Sequence, residues 1–232
     1  ALERTAASPR RFVLVALDLG AMLFVEQDYE ESRRIHYLAL DKARELDDDQ
    51  LLARVALTIF RSDPLGTAPG ASELAATLVT DAHRRLVGPA PDGAEVGALA
   101  RELAARFAEV ARAGADDDAL RFALWARHNA IWGPGTAAER VRITDELIAL
   151  ARRTGESSMD HIAVSFQWVA LLELGDPRYL ERYRELVELT ERRGWPHATL
   201  MNLIDRTIIL TLQGRFREAE DCLDGARDKF AH

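Results

Sequence analysis

Two pairs of glycines keep one spacing along this chain. Gly155 closes the stretch Arg152-Arg153-Thr154-Gly155, and Gly194 closes Glu191-Arg192-Arg193-Gly194, 39 residues later. Gly175 in Leu174-Gly175-Asp176 and Gly214 in Gln213-Gly214-Arg215 repeat that 39-residue interval. Each follows an apolar run of helical period. Glycine adopts a positive φ without steric cost, so it closes a helix cheaply. Two helix stops per fixed period mark a helix–turn–helix repeat array, in which each repeat buries its apolar face only against its neighbours. The expected fold is all-α, a right-handed α-solenoid of antiparallel helix pairs similar to tetratricopeptide repeats, with about eleven helices.

The pattern along the chain places the helices. The first is expected over 9–25, with Ser8 as N-cap and Pro9 at the first helical position. The second covers 29–46, the third 50–61, the fourth 72–86 and the fifth 94–113. Residues 63–70, with two prolines and two glycines, read as a loop. Asp116 to Asp118 cap the sixth helix, which is expected to end at Trp132. Thr136 and Glu139 have the spacing of a capping box for the seventh. The eighth covers 158–174. Asp176-Pro177 reads as an N-cap followed by a first-position proline for the ninth. The tenth opens at Trp195-Pro196, and the eleventh covers 216–230. The domain reading is 1–86 for an N-terminal helical block, 87–93 for a loop or joint, and 94–232 for regular hairpins, the whole being compatible with one continuous solenoid.

Charge and cysteine usage narrow the function classes. The net charge of −8 over 232 residues argues against a nucleic-acid surface, which needs clustered Lys and Arg. The arginines instead alternate with Asp and Glu at helical spacing. A single cysteine, Cys222, rules out an internal disulfide and suits a reducing cytoplasm. No apolar run reaches membrane-spanning length. The chain starts without Met and stops within a repeat-like pattern, so it reads as a piece of a larger protein. The uncovered ends of a solenoid make a second copy of the chain a candidate partner.

The run Leu124-Trp125-Ala126-Arg127-His128-Asn129-Ala130-Ile131-Trp132-Gly133-Pro134-Gly135 is followed by Glu139-Arg140 and Asp145-Glu146-Leu147. Trp168 to Asp176 and Gly214-Arg215-Phe216-Arg217-Glu218-Ala219-Glu220 come after it in order. Together these resemble the tetratricopeptide-like region of large actinobacterial transcription regulators, among them LuxR-type ATPase activators and antibiotic-regulatory activators. The resemblance covers about 116–226 well and the N-terminal half loosely. It implies a non-catalytic sensor or interaction arm that receives a small-molecule effector or a partner protein. In such regulators the ATPase and DNA-binding domains lie elsewhere in the chain, and no cofactor belongs to this arm.

The candidate binding residues lie on three helices. Trp125, His128 and Trp132 recur at i, i+3 and i+7 on the sixth helix, one face. His161, Ser165 and Trp168 do so at i, i+4 and i+7 on the eighth. Asn202, Asp205 and Arg206 interrupt the apolar tenth helix. A groove lined this way would hold a flat apolar ligand or an extended peptide. Core packing explains Trp and His at this spacing equally well. Two other readings stand beside this one. The first is a plain protein-interaction scaffold. The second is a metal-dependent helical enzyme using the aspartate triplets 47–49 and 116–118, whose position at helix junctions instead favours capping. His128 and His161 would need a third ligand to hold zinc, and Cys222 has no evident base.

Overall fold

In a computed structural model, residues 8–25, 28–62, 71–194 and 196–230 are described, and among them eleven α-helices and no strand occur. The helices are α1 (Pro9–Val25), α2 (Tyr29–Leu46), α3 (Asp49–Ser62), α4 (Ala71–Leu86), α5 (Val96–Ala113), α6 (Asp117–Ala130), α7 (Ala137–Thr154), α8 (Ser157–Glu173), α9 (Tyr179–Arg193), α10 (Pro196–Leu212) and α11 (Phe216–Phe230). The protein is an all-α helical repeat: α1 to α6 pack in succession, and so do α7 to α11. The expected loop at 63–70 lies outside the described residues. No described helix is long and apolar enough to cross a membrane.

The four register glycines all adopt left-handed backbone, with φ of 75° at Gly155, 66° at Gly175, 63° at Gly194 and 74° at Gly214. Gly155 and Gly194 each donate their N–H to the carbonyl four residues back, Ala151 and Thr190, closing α7 and α9. The aspartate triplets divide their labour. Asp47 takes the left-handed position that ends α2. Asp48 Oδ1 accepts the Leu51 N–H at 3.0 Å and starts α3. Asp116 Oδ1 accepts the Ala119 N–H at 3.0 Å and starts α6. Asp118 turns to Arg54, 2.5 Å away. Burial works against its charge, but the hydrogen bonds and charges of Arg54 and Arg121 hold its carboxyl below the usual range.

Three local expectations are corrected. α6 ends at Ala130, not Trp132, because the chain already unwinds at Ile131 ahead of Gly133-Pro134-Gly135. Thr136 makes no side-chain cap bond to α7; its Oγ1 accepts from Arg140 Nε at 3.2 Å instead. Asp176 does not cap α9, which starts only at Tyr179. Its carboxylate accepts the Arg178 N–H two residues on, at 3.0 Å, forming an Asx turn that leads into the helix.

The chain divides into two compact units, residues 1–133 and 134–232. Segment 87–93 lies inside the first, where α4 packs against α5. That unit is built around α3, which approaches α1, α2, α4, α5 and α6. Residues 53–59 of α3 are all buried, as expected for a helix enclosed on every side. α1 and α2 pack closely at Gly20, where a Cβ would sit 2.4 Å from His36 Nε2. Gly20→Ala should therefore destabilise this unit by about 1–3 kcal/mol through overpacking. Chemical denaturation measures it, and an unchanged midpoint would mean that the α1–α2 contact yields freely.

His36 is 2% exposed. Burial, then the charge of Arg61, pull its pKa down to about 4, against a smaller opposing effect of a Leu17 backbone hydrogen bond. The folded unit therefore favours neutral His36. Its contribution to stability is complete above the unfolded value near 6.5 and is lost as pH falls toward 4. Acidification from about pH 7 to about pH 5 should cost this unit about 2 kcal/mol. His36→Gln, which cannot titrate, should lose that slope in pH-dependent denaturation.

In the second unit, backbones approach closely only between chain neighbours, the pattern of a repeat array. α7 packs extensively on α8, α8 on α9, and α10 on α11, but α9 and α10 approach each other over a much shorter stretch.

Candidate functional site

In the first unit, Trp125 is half-buried on α6, with the Arg61 guanidinium 3.3 Å from its ring centre. Burial draws the Arg61 pKa down to about 9, and stacking on the indole face offsets part of the cost of burying that cation. His128 is fully buried and meets Trp132 edge-on at 5.3 Å, while Trp132 itself is 50% exposed. His128 thus pairs with Trp132, and Trp125 with Arg61, all within the first unit. The other six expected residues all lie in the second.

There, the loose contact between α9 and α10 leaves a half-open cavity of about 730 Å³. Leu180, Tyr183 and Val187 of α9 form one apolar wall, and Leu203, Ile209 and Leu210 of α10 the other. Asn202 and Arg206, both expected, line it, as do Arg184 and Arg215. Glu191 is the one acidic side chain in the lining.

The remaining expected residues support this cavity from behind. Trp168, 1% exposed, packs edge-on against Tyr183 with ring centres 5.6 Å apart. The Tyr183 hydroxyl donates to the Asn202 carbonyl at 3.3 Å, which ties α9 to α10. Burial, then the nearby Asp205 charge, push the Tyr183 pKa up to about 12, so the phenol stays protonated. His161 Nε2 lies 2.8 Å from Thr190 Oγ1. The Thr190 hydroxyl already donates to the Leu186 carbonyl at 2.9 Å, so His161 must be the donor and carries its proton on Nε2. Ser165 turns back to its own helix, donating to the Ile162 carbonyl at 2.8 Å.

Asp205 faces the same core. Burial raises its carboxyl to about 6, while the Trp168 indole, close enough to favour the ionised form without ideal hydrogen-bond geometry, partly opposes this. A raised folded pKa means that the stabilising contribution is complete below the unfolded value of 3.8 and is lost as pH rises through 6. The second unit should thus gain stability on mild acidification, opposite to the first. Asp205→Asn should remove that gain; thermal unfolding of this variant at pH 5 and pH 7 measures it.

The α9 wall was not among the expected residues. Leu180, Tyr183 and Val187 read as the ordinary apolar face of an amphipathic helix. The signal that exposes them is a break in the repeat. α10 is α8 shifted by 39 residues, residue for residue, and Arg184 and Arg206 stand where the preceding repeat has Asp145 and Gln167. A separate feature is an exposed apolar stripe on α10 formed by Met201, Ile204, Ile208 and Leu212. Among the described residues no cluster of three His, Cys, Asp or Glu side chains is arranged to hold a metal ion.

No protein-family model matches this chain, and no curated protein matches it significantly. Fold and cavity together define a helical-repeat protein with one repeat interface left open.

Proposed function

We propose that this chain is the non-catalytic regulatory arm of a bacterial transcription regulator, and that the α9–α10 cavity holds the small effector it senses. The cavity itself carries this reading. Its volume of about 730 Å³ falls inside the range of roughly 300–1,000 Å³ typical of small-molecule sites. Its lining combines apolar side chains of both helices with polar and charged ones that can orient a bound molecule. Its polar groups bind rather than transfer protons: arginine keeps its charge, and the Tyr183 phenol is held protonated.

The mechanism is a population shift. A ligand seated between α9 and α10 favours the arrangement in which the two helices stand apart. In a repeat array that local change alters how the following hairpin is carried, and so biases whatever is joined to it.

A second reading, a protein-interaction scaffold with no small effector, is favoured by the apolar stripe of Met201, Ile204, Ile208 and Leu212. Native mass spectrometry of the protein as purified, beside a denatured control, separates the two. The sensor reading expects a retained small mass that denaturation releases and that Leu203→Trp, which fills the cavity, no longer carries. Unadorned mass at every concentration moves the assignment to the scaffold.

A further inference from the structure

The repeat register shows what the cavity selects. α7 and α8 map onto α9 and α10 by a shift of 39 residues, with Gly155 on Gly194 and Ser157–Glu173 on Pro196–Leu212. In the first pair two polar staples close the interface. Gln167 Nε2 on α8 donates to Asp145 Oδ1 at 2.6 Å and to Thr144 Oγ1 at 3.3 Å on α7. Arg152 Nε on α7 donates to Asp160 Oδ1 on α8 at 3.1 Å.

Neither pair of residue types recurs one repeat later. Asp145 and Gln167 become Arg184 and Arg206, and Arg152 and Asp160 become Glu191 and Thr199. An amide–carboxylate bond has been replaced by two cations that cannot bond to each other, and both line the cavity. Closing the helices would press like charges together as they lose solvent. The small Ala163 and Thr144 of the closed pair become Asn202 and Tyr183, which also hold the helices apart.

Three arginines stand against the single carboxylate of Glu191 in the lining, so the charge left over is positive. Arg215 is held by Glu218 at 2.5 and 2.7 Å. The Arg206 charge reaches Glu218 only as a longer-range influence. No ion pair to Arg184 is found among the described residues. A cleft that combines apolar side chains with these two arginines suits a ligand with an apolar body and a carboxylate, since guanidinium and carboxylate pair through two parallel hydrogen bonds.

We infer that the α9–α10 cavity binds an amphipathic organic carboxylate, whose head joins Arg184 and Arg206 and whose apolar body fills the space between Val187, Leu203 and Ile209. This rests on the effector-site reading of the same cavity and adds the ligand's chemical class.

Calorimetric titration with three probes of equal chain length tests it: decanoate, decanol and decyltrimethylammonium. Decanoate should bind at least roughly tenfold more tightly than either of the others, the value of about one charge-assisted hydrogen bond. Arg184→Gln and Arg206→Gln, both at exposed positions, should each erase most of that preference, while Arg217→Gln outside the cavity should not. Equal binding of all three probes, lost in Leu203→Trp, would overturn the carboxylate inference but leave the cavity as an apolar effector site. Decanoate binding that survives both Leu203→Trp and the arginine changes would place the ligand elsewhere and overturn both. Binding by none of the probes overturns the inference, and the retained-mass measurement then judges the effector reading by itself.

Discussion

Trp168→Ala should lower the unfolding free energy of the second unit by about 4 kcal/mol, among the largest costs expected of any single change in this chain. Trp168 heads the fully buried side chains by volume, and its indole sits edge-on against Tyr183. Truncation removes the transfer energy of a large ring and leaves a void at the meeting point of α8 and α9. It also removes an aromatic pair worth about 1 kcal/mol beyond burial. The effect should extend to the cavity, because Trp168 backs Tyr183, and Tyr183 bridges α9 to α10 through the Asn202 carbonyl. Trp168→Phe keeps a ring in place and should cost about half as much. Urea denaturation measures both variants, with a shifted midpoint and an unchanged slope as the expected signature. A loss below about 1 kcal/mol for the alanine variant would mean that the core collapses around the gap and that Trp168 does not anchor it.

Arg140→Ala comes next, at about 3 kcal/mol. Arg140 lies near the start of α7 with its side chain wholly buried. It pairs with Glu173 at the end of α8 and donates Nε–H to Thr136 Oγ1. Breaking a buried pair usually costs more, but Glu173 is 39% exposed and regains water when its partner leaves. Most of the loss is therefore the packing of the arginine stem. Arg140→Met keeps that stem's volume without the charge, so it should recover more than half of the deficit. If methionine proved as damaging as alanine, the ion pair rather than the packing of the stem would hold the α7–α8 hairpin together.

Much of the architecture is legible in the sequence because helix ends are local demands. Gly155, Gly175, Gly194 and Gly214 are needed where the backbone turns left-handed, and that need depends on almost nothing distant. The bounds of α1, α2 and α11 follow from the same local chemistry. Capping is less legible, since a side chain with a local job can be claimed by a tertiary partner. Thr136 is taken by Arg140, and Asp118 by Arg54.

The candidate site is legible in part. Asn202 and Arg206 stand out as polar groups in an apolar helix, and both line the cavity. His161 and Trp168 carry the same outward signal, yet serve as packing behind the α9 wall. Spacing alone does not separate the two roles, because a buried face and a groove-lining face have the same helical period. What separates them is how closely the next helix packs, and this depends on pairs such as Asp145 with Gln167 that are far apart in sequence.

The most direct test of the open repeat interface is to restore the missing staple. Arg184→Asp combined with Arg206→Gln places at these positions the residue types that close α7 on α8. Equilibrium unfolding of the double variant should show a gain of about 1 kcal/mol, the worth of a part-buried hydrogen bond together with relief of like charges, and the variant should lose decanoate binding. A stability unchanged or lowered, with binding intact, would show that the arginines do not hold α9 and α10 apart, and that the cavity is not a repeat interface kept open for a ligand.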